Sequence, residues 1–199
     1  MSLFPRRRRP PEPDPARQIG DAARARLRTR PLVAPPAPWG VTGGASVGGL
    51  TEIGYGPDSD LLLVVSSNGR GVFDVLTGER VTRDDSPDWD GLDQTAMRCP
   101  GIGPLDGVTV PLAGLHGGGL PRGSGDGWLL TVEAIDWPNH HAFLEDGHRG
   151  GPYVSPHEGG GLLIWQDSPC EYRAGGFSPT GRSFALASSC EVTLFARTD

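Results

Sequence analysis

A cadence of short β-branched or aromatic runs, each closed by a turn cluster, occurs over residues 50–85 and again over 172–197. Internal repetition of this kind constrains a fold strongly, because each repeat is a supersecondary unit whose apolar face a neighbour must cover. In the first copy Gly56-Pro57-Asp58-Ser59, Asn68-Gly69 and Thr77-Gly78 fall at hairpin spacing. The spacing predicts four strands, near 50–55, 60–66, 70–75 and 79–83. Leu61, Leu63 and Val65 would face one way and Leu62 and Val64 the other, the pattern of a strand covered on both faces. In the second copy a strand ends at Phe177, Ser178-Pro179-Thr180-Gly181 turns, and strands are predicted at 183–188 and 191–196. Between the copies, strands are predicted at 128–135 and 161–166 and near 107–112. Long Gly-, Pro- and His-rich loops over 114–127 and 137–160 would separate them.

The composition agrees with a turn-dense β fold joined to an unstructured segment. Glycine (31) and proline (20) make up about a quarter of the 199 residues, and the apolar fraction is only 36%. Charge divides the chain in two. Residues 1–40 carry nine arginines against Glu12, Asp14 and Asp21, a net +6. The remainder carries nine arginines against 21 acids, a net −12. All 18 basic residues are Arg, the signature of a GC-rich bacterial genome. Residues 1–40 therefore read as a basic Arg/Pro-rich tail, disordered at its start and weakly helical over 15–30. Asp14 suits the N-cap of that helix, Pro15 its first turn and Pro31 its end. The glycine-rich stretch 40–49 is expected to be flexible, leaving 41–199 as the all-β domain with blade-like units at 50–85, 105–174 and 175–197.

Both repeat copies resemble blades of the WD-repeat β-propeller family, over roughly 60 of 199 residues. The family's aromatic–Ser–Pro turn aligns with Tyr55-Gly56-Pro57 and Phe177-Ser178-Pro179; its Trp–Asp resembles Phe73-Asp74, and its Thr–Gly turn resembles Leu76-Thr77-Gly78-Glu79. The histidine that pairs with the family's aspartate is not evident, so its structural tetrad is not carried over. The resemblance implies antiparallel propeller-like blades. Three are fewer than a closed ring needs. They would pack as an open or atypical small propeller or sandwich, or two chains would combine to close a ring.

No sequence pattern amounts to a reaction signature, and no cofactor or metal site is assigned. His116-Gly117-Gly118-Gly119 has the form of an oxyanion-hole loop, but no G-x-S-x-G nucleophile elbow accompanies it. Ser86-Pro87-Asp88-Trp89-Asp90-Gly91 resembles the opening of a calcium loop, with Met97 where the bidentate Glu belongs. That acidic segment, with Asp84, Asp85, Asp88 and Asp90 around Trp89, is instead expected to contact a basic partner. A second tentative contact region is Trp137 with His140 and His141, the densest titratable cluster in the chain. Trp128 and Trp165 are further candidate aromatic anchors. Cys99, Cys170 and Cys190 are odd in number and widely spaced, which predicts buried free thiols and a cytoplasmic setting. No run is apolar and long enough for membrane insertion.

These observations lead to the expectation of a non-catalytic protein-binding module, such as an immunity factor or an assembly component. Its partner would be a basic protein. A small metal- or histidine-dependent hydrolase using the 137–160 loop is the alternative, and nucleic-acid association through Arg residues in 6–30 is a third. An acidic body does not suit nucleic acid outside that tail. The tail could also fold back on the body by charge attraction.

Overall fold

The computed structural model describes residues 14–86, 91–147, 153–167 and 169–198. Trp89, Asp88, Asp90, His148 and the Arg6–Arg9 run lie outside them. One helix, α1 (Pro15–Arg28), precedes an all-β body. In chain order its strands are β1 (Trp39–Ser46), β2 (Leu50–Tyr55), β3 (Leu61–Ser66), β4 (Gly69–Asp74), β5 (Glu79–Asp84), β6 (Arg98–Pro100), β7 (Thr109–Pro111) and β8 (Ala113–Gly114). There follow β9 (Gly117–Gly118), β10 (Trp128–Asp136), β11 (Asn139–Asp146), β12 (Leu162–Gln166), β13 (Tyr172–Phe177), β14 (Ser183–Ser188) and β15 (Glu191–Arg197).

All pairings between these strands are antiparallel, in four separate sheets. The first sheet has the order β5-β4-β3-β2-β8-β9, the middle sheet β10-β11-β12 and the last sheet β1-β15-β14-β13, while β6 and β7 form a ribbon. The two predicted repeats are thus the cores of the first and last sheets. The strand expected near 107–112 joins the ribbon, and 113–118 extends the first sheet, so the middle sheet begins at Trp128.

Period-two alternation decides how the sheets stack. Leu63, Val65 and Val72 pack with Cys99 and Val110 of the ribbon, whereas Leu62, Val64 and Phe73 face Ala185, Ala187, Val192 and Leu194 of the last sheet. On the opposite face of the last sheet, Phe184, Leu186 and Phe195 meet Trp128, Leu130, Ala142 and Leu144 of the middle sheet. Phe143 and Leu163, on the far side of the middle sheet, pack with Ala23 and Leu27 of α1. The order of layers is therefore ribbon, first sheet, last sheet, middle sheet, helix. No closed barrel forms among the described residues; instead the ribbon and α1 cover the two outward apolar faces of an open stack. Terminal caps of this kind are what a short array of repeats requires.

Four details differ from the sequence expectations. Most of the stretch 40–49 expected to be flexible lies in β1, which pairs with β15 in register from Trp39↔Arg197 to Ser46↔Glu191. Its glycines permit a close crossing: a Cβ on Gly43 would lie 2.8 Å from the Gly78 carbonyl oxygen. Residues 139–146, expected to be loop, form the central strand of the middle sheet. Cys170 and Cys190 are joined in a disulfide across 20 residues, with Cα atoms 6.0 Å apart, so only Cys99 is a free thiol. The start of β13 and the β14–β15 turn are adjacent because β13 pairs with β14, and sequence distance hides that proximity. Finally, Trp128 and Trp165 are buried between the middle and last sheets and serve as core, not as exposed anchors.

A carboxylate ties the first sheet to the last. Asp60 Oδ1 accepts hydrogen bonds from Ser178 Oγ at 2.8 Å, Thr180 Oγ1 at 2.8 Å and Ser183 Oγ at 2.6 Å. All of these side chains except Thr180 belong to buried residues, so the inter-sheet contact is directional as well as apolar.

Candidate functional site

The β10–β11 hairpin presents the contact region that the sequence suggested, but it distributes the residues over three surfaces. At its tip, where Asp136 pairs with Asn139, Trp137 is 79% exposed. His140 and His141 are adjacent in an extended strand and therefore point to opposite faces of the sheet. The cluster that looks continuous in sequence is split by the pleat.

His140 lies on the last-sheet side, with its ring stacked on Tyr172 at 5.0 Å between centroids. Its partner is Asp167, which is 3% exposed. Asp167 Oδ1 accepts the His140 backbone N–H at 2.6 Å, and Oδ2 accepts the Tyr172 backbone N–H at 3.0 Å and lies 3.2 Å from His140 Nδ1. The carboxylate thus fixes both the strand and the imidazole. Burial pushes the Tyr172 phenol up to about 12, so it stays protonated and neutral beside the ring. Among the described residues no serine, threonine or cysteine side chain hydrogen-bonds to His140. The pair therefore supplies an oriented imidazole without a nucleophile.

His141 lies on the helix side and is 8% exposed. Burial lowers its pKa from the ordinary histidine value, while the nearby carboxylates of Asp167 and Asp136 oppose that shift. Its Nδ1 has no hydrogen-bond partner. His141 is among the residues lining a cavity of about 300 Å³ bounded by the C-terminal end of α1, the hairpin tip and the end of β12, but its Nδ1 is sealed from that space. Arg28 reaches Asp136 at 3.7 Å, and Arg30 donates to the Gly160 carbonyl at 2.9 Å and to the Gly161 carbonyl. Arg26 donates to the His157 carbonyl at 2.6 Å, and Arg24 pairs with Asp21 at 2.5 Å. The basic helix is held on the acidic body chiefly by apolar packing and by arginine-to-carbonyl bonds, with one loose ion pair among the described residues, between Arg28 and Asp136.

The acidic segment behaves differently from a free patch. Asp84 is held below the usual carboxylate range first by hydrogen bonds from Ser86 and then by Arg70, whose NH2 is 3.1 Å away. Asp85 is exposed, 3.9 Å from Arg83. The His116 loop is a tight turn between β8 and β9, and its imidazole Nδ1 pairs with Glu52 Oε1. Glu52 is fully buried, and its second oxygen has no partner. Asp167, Glu52 and Asp60 were not recognised from sequence, because each acts on a residue at least 27 positions away in the chain. No group of three or more His, Cys, Asp or Glu side chains among the described residues is placed to hold a metal ion.

No family model matches the chain, and no curated protein matches it. Among solved structures it is similar to the β-propeller domain of Cps50 (Swd1) from Myceliophteria thermophila, at 13% identity and a TM-score of 0.24. That alignment covers 96% of this chain and 58% of the other. No described helix is long and apolar enough to cross a membrane.

Proposed function

We propose that this chain is a non-catalytic protein-interaction module of propeller-blade type that engages a basic partner through the β10–β11 hairpin. The observation that carries the reading is Trp137, 79% exposed at a hairpin tip between Asp136 and Pro138. An indole left in water at a rigid position is the side chain most often found at the energetic centre of an interface. The hairpin itself is rigid, because Phe143 and Ile135 anchor one face and Ala142 and Leu144 the other. Residues 41–199 carry a net −12, which would steer a cationic protein toward them. An immunity factor against a basic toxin and an assembly component are both consistent with this chemistry.

The test is quantitative capture from the native host with the full chain and its Trp137→Ala variant. The reading requires a stoichiometric partner whose recovery falls at least about tenfold in the variant while the circular dichroism is unchanged. Equal recovery would remove the hairpin from the interface.

The Asp167–His140 pair favours a second reading, general-base chemistry on a bound substrate. Hydrolysis of generic ester substrates that is abolished by His140→Ala would support it.

A further inference from the structure

The glycine run 117–119, which in sequence has the form of an oxyanion-hole loop, lines a cavity of about 220 Å³ that the interaction reading does not use. The cavity lies where the β8–β9 turn meets the start of β13, and Arg122, from the segment that precedes β10, lines it as well. Residues 41–199 carry a net −12, yet the described lining holds two arginines, Arg122 and Arg173, and no Asp or Glu. Only 14% of the Arg173 side chain is exposed. Its Nε donates to the Leu50 carbonyl at 3.2 Å and its Nη1 to Glu171 Oε2 at 3.0 Å. Nη2 has no partner among the described residues and, unlike the sealed unpaired atoms elsewhere in the body, is open to solvent. Arg122 is exposed and makes no ion pair among the described residues. Its charge acts on the Tyr172 phenol, whose hydroxyl also lacks a partner and is open to solvent. A Cβ on Gly175, another lining residue, would lie 3.3 Å from that hydroxyl. Two cations lining one small cavity repel, and an anion placed between them turns that repulsion into two attractions.

We propose that this cavity binds a phosphate group, free or as the monoester end of a small molecule. Arg122, Arg173 Nη2, the Tyr172 hydroxyl and main-chain N–H groups of 117–119 hold its oxygens. Donors that arrive from three separate chain segments suit a tetrahedral oxyanion, whose oxygens point in all directions. A planar carboxylate would be satisfied by one arginine fork and would leave the others unused. The glycines at 117–119 and 175 let an anion approach the main chain without meeting a side chain. Glu171 engages only Nη1 of Arg173, and the buried Glu52 pairs with His116, so neither occupies Nη2 or Arg122. The phenol stays protonated, so it donates to an anion and does not oppose one. Trp137 lies outside this lining, so the phosphate site and the partner contact are tested separately.

The experiment titrates the full chain by calorimetry, in a phosphate-free buffer, with inorganic phosphate and with glycerol 3-phosphate, and with acetate as the planar control. The Arg173 Nε–H and the glycine amide resonances of 117–119 are followed in parallel by NMR. The proposal requires saturable binding of at least one phosphate, at least about tenfold tighter than acetate, with shifts at those resonances. Tighter binding of glycerol 3-phosphate than of inorganic phosphate assigns the site to a monoester, and the reverse order assigns it to the free ion. Arg122→Gln, at an exposed position without an ion pair, should weaken binding at least about tenfold without lowering Tm by more than a few degrees. Tyr172→Phe, which removes only the hydroxyl, should weaken it about threefold or more. Arg80→Gln removes the same charge from a residue outside the cavity and should leave binding unchanged. The proposal is overturned by the absence of saturable binding up to about 10 mM, by acetate binding as tightly, or by equal effects of Arg122→Gln and Arg80→Gln. Because the resonances are read on the wild-type protein, the outcome does not depend on an Arg173 variant that folds.

Discussion

Replacing Leu27 with Ala asks whether α1 is a structural cap on the stack or a passenger. Leu27 is 6% exposed and packs with Ile135, Phe143 and Leu163, the apolar face that the middle sheet turns away from the rest of the body. Truncation removes about three carbons from that contact, a loss of roughly 2 kcal/mol in transfer free energy before any cavity remains. Buried Leu→Ala changes span about 2–5 kcal/mol; a helix at the periphery can settle toward the gap, which places this one near 2–3 kcal/mol. For a domain of this size, that corresponds to a fall in Tm of roughly 5–10 °C. Urea unfolding with the m-value monitored is the assay, since an unchanged m confines the effect to stability. Ile19→Ala is the internal control: Ile19 continues the same helical stripe but is 68% exposed, so it should cost less than about 0.5 kcal/mol. If Leu27→Ala is as mild as Ile19→Ala, α1 is not the cap and the layered account fails.

Other perturbations probe the remaining contacts. Asp60→Ala removes the acceptor of three hydroxyls, of which those of Ser178 and Ser183 are buried, and should cost about 3 kcal/mol in the same assay; a loss under about 1 kcal/mol would show that the two sheets do not depend on it. His116→Ala leaves the buried Glu52 carboxylate without its partner and should destabilise by about 3 kcal/mol, whereas the double variant with Glu52→Gln should recover much of that loss. Breaking the Cys170–Cys190 link by Cys190→Ser should cost about 2–4 kcal/mol, and thiol titration of the unfolded, unreduced wild type should find one free thiol, from Cys99. For His141 the folded pKa lies below the unfolded one, so the unfolded chain binds the extra proton first. Its contribution therefore makes stability fall as pH drops below about 6.5, and His141→Gln should flatten that part of the pH–stability curve.

The sequence made the two repeats legible because their signals are local. The continuous apolar run 61–65 and turn residues such as Asn68-Gly69 place the strands within a residue or two of β2–β5 and β14–β15. β1 was hidden because Trp39–Ser46 has three glycines and no alternation; its extended form comes from β15, about 150 residues away. β11 was hidden because Asn139, His140 and His141 open it with polar residues after a Trp–Pro turn. The same opening made His140 and His141 look like one cluster, which a strand must divide. Trp137 was found as a candidate because it sits among turn residues, but Asp167, which organises His140, carries no local signal. Its role arises only when β12 pairs with β11 and delivers residue 167 beside residue 140.

The interaction claim is tested most directly by hydroxyl-radical footprinting of Trp137 in native-host lysate and in buffer. The account requires strong protection of Trp137 in lysate, with Ile19, 68% exposed on α1, unchanged as the reference. Equal oxidation of Trp137 in both media would contradict it.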